Sequence, residues 1–234
     1  MLSGGVPTPR VDTRVPHRSY SVPGTGIRIA VTTPESHPDL WAAHLEGLDR
    51  LYTEHGVGAA AKVDERPTSL VFTALDPDGR AVSGIRSHGP VETAEDTQAL
   101  DVWAGDPEVR AVIAGWVPDG LVETQGFWMA PDFSGRRELM AAMKRTPVVA
   151  SAVLGARFAM GTAAHTMRLF VSAGAVVVDS IPAVPYPDPR YRTTLAYWDR
   201  WHWSPAVSGA EIRAVDDTVA ELVEVAVPAP RGAR

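Results

Sequence analysis

The chain has 234 residues, 45% of them hydrophobic, which is enough for a full core in one large domain or two small ones and too apolar for global disorder. Lys and Arg number 22 against 28 Asp and Glu, a formal net charge of -6, which argues against nucleic acid as the main partner yet leaves room for a local basic pocket. The absence of cysteine excludes disulfides, thiolate catalysis and cysteine-held metal, and no segment approaches the roughly 20 apolar residues of a membrane helix; the expectation is a soluble, cytoplasmic protein with no membrane span.

Residues 1–25 hold four prolines and the basic Arg10, Arg14, His17 and Arg18, the composition of a flexible or extended arm. The main domain is expected over 26–205, followed by a C-terminal helical segment and tail over 206–234. Ile27 to Thr32 reads as a strand. Asp39 to Glu54 has helical apolar spacing at Leu40, Trp41, Leu45, Leu48 and Leu51, and Gly56 ends it. Residues 69–75 form a strand that turns at Asp76-Pro77-Asp78-Gly79 and returns antiparallel over Arg80 to Arg86. Ala94 to Trp103 suits a short helix, and Pro107 to Trp116 a helix capped by Asp106. Leu121 to Met129 is a strand, and helices follow at Arg136 to Arg145 and Pro147 to Leu154. Beyond them the pattern predicts a strand over Arg157 to Thr162, a helix over Ala163 to Ser172, a buried strand over Ala175 to Ile181, a proline-rich loop, a strand over Thr193 to Trp198, and a helix within Ser208 to Ala226. The sum is an α/β (α+β) plan: a mixed, mostly antiparallel central sheet flanked by helices.

The chemistry concentrates in Leu121 to Met143. A carboxylate, Glu123, sits inside a strand closed by Phe127 and Trp128, where it suits a proton acceptor facing a cleft; the plain alternatives are a carboxylate on the exposed strand face or one paired with a structural arginine such as Arg86. The loop 131–137 then delivers Arg136 and Arg137 to a helix N-terminus. The guanidinium groups and the backbone N–H groups of Ser134, Gly135 and Arg136 suit phosphate; the plain alternative is a solvated helix start. Phe127, Trp128, Phe133, Met140 and Met143 suit an apolar tunnel, or core packing. His165 is a further acid–base candidate beside the ordinary reading of a structural histidine. The seven histidines show no ligand spacing, so no metal is expected, and no Walker loop or dinucleotide fingerprint is present.

Three stretches, FTALDPDGRAVSGIR, LFVSAGAVVVDSIP and Glu123-Thr124-Gln125-Gly126-Phe127, occur in the order and spacing that resemble the GCN5-related N-acyltransferase superfamily. The likeness covers about residues 27 to 200 and is greatest to the branch of acyl-homoserine-lactone synthases and N-acyl amino acid synthases. It implies an acyl-CoA N-acyltransferase-like fold. The implied activity moves an acyl group from a pantetheine thioester, on CoA or an acyl carrier protein, to a small amine such as an amino acid or aminoacyl derivative, with no permanently bound cofactor. It gives Glu123 the part of base, acting directly or through water, and sets the backbone of Trp128 and Met129 along the pantetheine arm. The departures are specific. Asp132 and Arg137 occupy the ends of the usual glycine-rich phosphate motif, Gly126 replaces an arginine, and Phe170 stands where many members carry a tyrosine as general acid. Those departures suit a second reading, a catalytically inactive fold member that binds a ligand or partner. A third is a subunit contact, and hence a homodimer, at the Trp-rich stretch around His202.

Overall fold

The computed structural model describes residues 18–57, 66–131, 133 and 135–224. In chain order the elements are β1 (Arg18–Ser21), β2 (Arg28–Thr32), α1 (Pro38–Glu54), β3 (Leu70–Leu75), β4 (Ala81–His88), α2 (Gln98–Val102), α3 (Pro107–Trp116), β5 (Leu121–Met129), α4 (Arg136–Met143), α5 (Thr146–Val153), β6 (Phe158–Ala163), α6 (Met167–Val171), β7 (Val176–Val177), β8 (Thr194–Asp199) and α7 (Gly209–Glu224). The strands form one eight-stranded sheet in the order β1-β2-β3-β4-β5-β6-β8-β7. Only the central pair β5–β6 is parallel; every other neighbouring pair is antiparallel. This is the mixed, mostly antiparallel sheet that the sequence pattern implies. Among the described residues no helix is long and apolar enough to cross a membrane.

Side chains alternate between two buried faces, as a strand's period of two requires. On β5, Leu121 joins Trp103, Ile113, Phe158 and Met160 in a core covered by α2 and α3. Its neighbour Val122 joins Leu139, Met143, Val149 and Ala159 in a core covered by α4 and α5. The hairpin between β3 and β4 turns where expected: Asp76 Oδ1 accepts from the N–H groups of Asp78 and Arg80 at 3.0 and 2.9 Å, and Gly79 supplies a φ of 80°. Asp106 caps α3, its Oδ1 accepting from Glu108 N–H at 2.8 Å, a contact worth about 1 kcal/mol.

Four boundaries differ from the sequence pattern. Arg18–Ser21, expected within an N-terminal arm, is an edge strand zipped to β2, and the Arg18 guanidinium donates to Leu222 O; residues 1–17 lie outside the described residues. The helix expected from Ala163 is confined to Met167–Val171, because β6 stays paired with β8 as far as Ala163 opposite Thr194. The buried strand expected over Ala175 to Ile181 shrinks to the half-buried Val176–Val177, since a turn closed by Ile181 N–H to Val178 O at 3.0 Å breaks the ladder. α7, assigned by sequence to a separate segment, packs into the main core through Val215 and Leu222. A two-pronged ion pair locks it there: Arg145 Nε and Nη2 donate to the two Glu211 oxygens, each at 2.9 Å.

Candidate active site

β5 is regular only in its first half. Leu121 to Thr124 pair with Phe158 to Gly161 of β6, and the ladder stops there although both strands continue. Past that rung β5 carries a bulge. Gln125 pairs with Arg86 and Trp128 with Gly84, so Gly126 and Phe127 together oppose the single residue Ile85. Gly126 has a φ of 64°, a backbone conformation that glycine adopts without strain. The extra residue shifts the alternation of side chains. Phe127 and Met129 now face the α4 side, while Trp128 turns to α1, where its indole Nε1 donates to His44 Nδ1 at 3.2 Å. Room for the indole comes from Gly47 and Gly84, where an added Cβ would lie 2.1 and 2.7 Å from it.

Between the diverging strands lies a cavity of about 410 Å³. It passes through the sheet, for its wall takes residues from both faces. On the α4 side it is apolar: Phe127, Met129, Met140, Met167 and Phe170, with Arg136 at the rim. On the α1 side it is polar and aromatic: Tyr52 and His55 from the end of α1, Gln98, Gln125, and Tyr186 and Tyr191 from the proline-rich loop. That loop is tied to α1 by Arg190 Nη2, which donates to His55 O at 3.0 Å. His165 also lines the cavity; it is exposed, with its ring edge-to-face on Tyr191 at 5.0 Å. Burial raises the Tyr52 hydroxyl above its ordinary range, and neighbouring Tyr186 adds to the effect.

Glu123 lies one layer behind this wall. It is 1% exposed and does not line the cavity. Its oxygens accept from Ala99 N–H and Gln98 N–H, both at 2.8 Å, and from Gln125 Nε2 at 2.6 Å. Gln125 in turn accepts from Arg86 Nη2. The carboxylate thus pins the first turn of α2 and one cavity-lining amide, and it reaches Arg86 through Gln125. Burial pushes its carboxyl up to about 7, opposed by those three donors, which favour the charged form.

The arginine loop sits at the α4 mouth. Gly135 begins α4 with a φ of 92°. Arg136 lines the cavity and donates through Nη1 to Ala130 O at 2.9 Å. Arg137, its side chain 94% exposed, pairs with Glu138 at 3.0 Å and lines a shallow groove with Arg136, Met140 and Lys144 rather than the cavity itself. Ser134 and Asp132 lie outside the described residues. Of the five tunnel candidates, Phe127, Trp128 and Met140 reach the cavity wall. Met143 is fully buried in the core instead, and Phe133 packs beside Gly135. Phe170, in the position that the resemblance assigns to a tyrosine, stacks edge-on with Phe127 at 6.1 Å and Trp198 at 5.6 Å. Sequence reasoning missed Tyr52, Gln98, Gln125, Tyr186 and Tyr191. The only available signal was the pair of tyrosines inside a proline-rich loop.

No family model matches the sequence. An uncharacterized protein of Mycobacterium tuberculosis is 38% identical over 181 residues, which cover 74% of this chain and 69% of that protein. An uncharacterized protein of Mycobacterium bovis matches with the same figures of 38%, 74% and 69%. Among solved structures, FeeM, an N-acyl amino acid synthase from uncultured soil microbes, superposes with a TM-score of 0.51 at 14% identity over 76% of this chain and 94% of that one. The acyl-homoserine lactone synthase LasI gives a TM-score of 0.52 at 11% identity, covering 75% of this chain and 91% of its own. The CoA-dependent acyl-homoserine lactone synthase MesI gives 0.50 at 15% identity, covering 81% and 94%. At these identities the likeness is one of fold.

Proposed function

We propose, for a chain that belongs to one family with these mycobacterial proteins and has the fold of the GCN5-related N-acyltransferase superfamily, that it transfers an acyl group from a pantetheine thioester to a small amine. The observation that carries this reading is the cavity through the sheet at the β5–β6 divergence, apolar with an arginine at one mouth and polar at the other. The fold is shared with an N-acyl amino acid synthase and a CoA-dependent acyl-homoserine lactone synthase, which supports acyl-CoA as the donor. An acyl carrier protein bearing the same pantetheine arm is the other candidate donor.

In this reading Arg136, Arg137 and the N-terminus of α4 hold the donor's phosphates, with a guanidinium fork and the helix dipole acting together. The pantetheine arm lies along the edge of β5 that β6 leaves, beside Phe127, Trp128 and Met129. The acyl chain fills the apolar half, and the amine enters among Tyr52, Gln98, Gln125 and Tyr191. The amine nitrogen attacks the thioester carbonyl. A C–N bond forms, the C–S bond breaks, the electron pair leaves on sulfur, and the amine's proton is passed on so that a neutral thiol is released. We assign acceptance of that proton to His165, whose imidazole is on the wall. Glu123 we assign to positioning, because its three hydrogen bonds fix Gln125 and the turn that presents Gln98.

The test uses the full chain with a panel of acyl-CoAs and follows thiol release with and without amines. Amine-dependent release is expected, and His165→Gln should lower it about a hundredfold. No release and no binding with any acyl-CoA or acyl carrier protein, from a folded sample, overturns the reading. Phe170 in place of an acidic hydroxyl favours one rival, a binding module without turnover. Saturable acyl-CoA binding with no amine-dependent release would establish that rival.

A further inference from the structure

His44 lies in the middle of α1, is fully buried, and has no part in the reaction proposed above. With Gly47 and Leu48 it makes up the buried face of that helix. A histidine and a glycine are poor choices for a helix face packed on a sheet: one brings a polar ring into the core and the other weakens the helix. Both serve the same side chain. His44 Nδ1 accepts from the Trp128 indole at 3.2 Å, and a Cβ on Gly47 would lie 2.1 Å from that indole. Below them on β4, a Cβ on Gly84 would lie 2.6 Å from His44 Nδ1 and 2.7 Å from Trp128 Nε1. The imidazole–indole pair therefore needs glycine on each of the two elements that enclose it.

An indole N–H only donates, so Nδ1 must be bare and the ring hydrogen must sit on Nε2. Nε2 is buried and has no partner among the described residues; it lies against the bulge, 3.5 Å from where a Cβ of Gly126 would be. An orphan donor is costly, so the imidazole is kept for its other nitrogen. Burial, with Arg86 adding to it, lowers the imidazole to about 3, and Nδ1 stays free to accept. Regular alternation along β5 would point Trp128 into the apolar half of the cavity and Phe127 toward α1. We propose that His44 is a positioning residue: by holding the Trp128 indole against α1 it fixes the register of β5 past Gly126, and so keeps Phe127 and Met129 on the apolar wall. α1 ends beside the polar mouth with Tyr52 and His55, so one helix ties the two halves of the passage together. The bearing of His44 on turnover rests on the acyl-transfer reading; its hold on Trp128 does not.

Two substitutions set packing against hydrogen bonding. His44→Leu fills the space of the ring without an acceptor. His44→Asn leaves a gap but returns an acceptor oxygen, as many bonds from Cα as Nδ1 is. Hydrogen–deuterium exchange of the indole N–H groups, read by NMR on the full chain isotope-labelled in tryptophan, follows the contact directly. Trp128→Phe identifies the Trp128 signal among the seven tryptophans. Trp103, whose Nε1 donates to Pro182 O at 2.9 Å, reports on the fold as a whole. Relative to Trp103, His44→Leu should lower the protection of Trp128 about tenfold and His44→Asn about threefold or less. With acyl-CoA and amine, kcat/KM should fall in the same order and by similar factors. A role in packing alone ranks His44→Leu above His44→Asn in both readouts and overturns the proposal, as does an equal fall at Trp103 and Trp128. Unchanged kcat/KM in a His44→Leu chain whose Trp128 indole has lost its protection also overturns it. A wild type that turns over no acyl-CoA removes the acyl-transfer reading, and the exchange order of the two variants still decides whether His44 holds Trp128.

Discussion

Glu123→Gln separates positioning from catalysis and gives a stability signature of known sign. The carboxylate has three donors aimed at it, from Gln98, Ala99 and Gln125. A carboxamide has one acceptor oxygen, and its NH2 would face at least one donor, so one or two buried N–H groups lose their partner at roughly 1–3 kcal/mol each. The pH dependence adds a second reading. Folded, the carboxyl sits at about 7, against 4.5 when unperturbed. Between those values the native state keeps a proton that the unfolded chain has released, so stability falls as pH rises through the window. At 1.36 kcal/mol per unit the whole effect is about 3 kcal/mol. Below about pH 4.5 both states are protonated and above 7 both are ionised, so the contribution is flat outside the window. Urea unfolding of wild type and variant at half-unit steps from pH 4.5 to 8 isolates it, since every other group titrates in both. The variant's deficit should be largest at pH 4.5 and shrink by about 3 kcal/mol by pH 8. A deficit that grows with pH would show that the three hydrogen bonds outweigh burial, and would refute the ordering of forces argued for this site. In turnover, a positioning role predicts a loss of about tenfold with the pH–rate profile unshifted, whereas a base would lose about a hundredfold or more together with one limb of the profile.

The two loop arginines should differ. Arg136→Ala should raise KM for acyl-CoA about tenfold with little change in kcat, while the exposed Arg137→Ala should change it by about threefold or less, both measured by thiol release. Gly126→Ala puts a Cβ 3.0 Å from Leu48 Cδ1 at a φ of 64°. It should destabilise by about 1–2 kcal/mol in urea titration and lower activity by misplacing Phe127. Glu211→Gln removes the charge that holds α7 to Arg145 and Lys144, for a loss of about 1–3 kcal/mol at pH 7. Although burial pushes the Glu211 carboxyl up, Arg145 and Lys144 hold it below its ordinary range. That part of the stability is therefore present above about pH 4.5 and lost as pH falls through the lowered value, and the variant's deficit should disappear in acid.

What was legible in the sequence was whatever is encoded locally. Asp76-Pro77-Asp78-Gly79 specifies its turn within four residues, and Asp106-Pro107 starts α3 with a cap and a proline at the first position. β5 was bounded correctly at Leu121–Met129 because both its ends are marked by glycine or proline. Its function was not legible, for two reasons. First, strict alternation would set Gln125 and Phe127 on one face. The bulge at Gly126 breaks that register, and a glycine inside a strand does not reveal on its own which neighbour it opposes. Second, a carboxylate in a strand is equally a base beside a cleft or a cap for a distant helix. Glu123 meets Gln98 and Ala99 across a sequence gap of 24 to 25 residues that no local pattern reports. The same holds for the polar mouth, assembled from the end of α1, the start of α2 and a loop around Tyr186 and Tyr191.

The opening of the sheet has one physical origin, and it bears on the proposed reaction. A parallel pair flanked by antiparallel neighbours can open only where its ladder ends, and here it ends opposite Gly161, the one β6 position on that face with no side chain to fill the gap. The bulge then turns Phe127 and Met129 toward the apolar α4 side and leaves Gln125 on the polar α1 side. One glycine on each strand, Gly126 and Gly161, therefore both opens the passage and assigns its two halves opposite polarity. In the proposed reading, an amine and a thioester that enter from opposite faces meet at that rung. Gly161→Ala, whose methyl would lie 3.1 Å from Thr124 O, should therefore cut acyl transfer about a hundredfold or more in kcat/KM, against a destabilisation of about 1–3 kcal/mol by urea titration. Equal turnover by the variant would mean that the reacting groups do not meet between β5 and β6, and the assignment of the two mouths would fall.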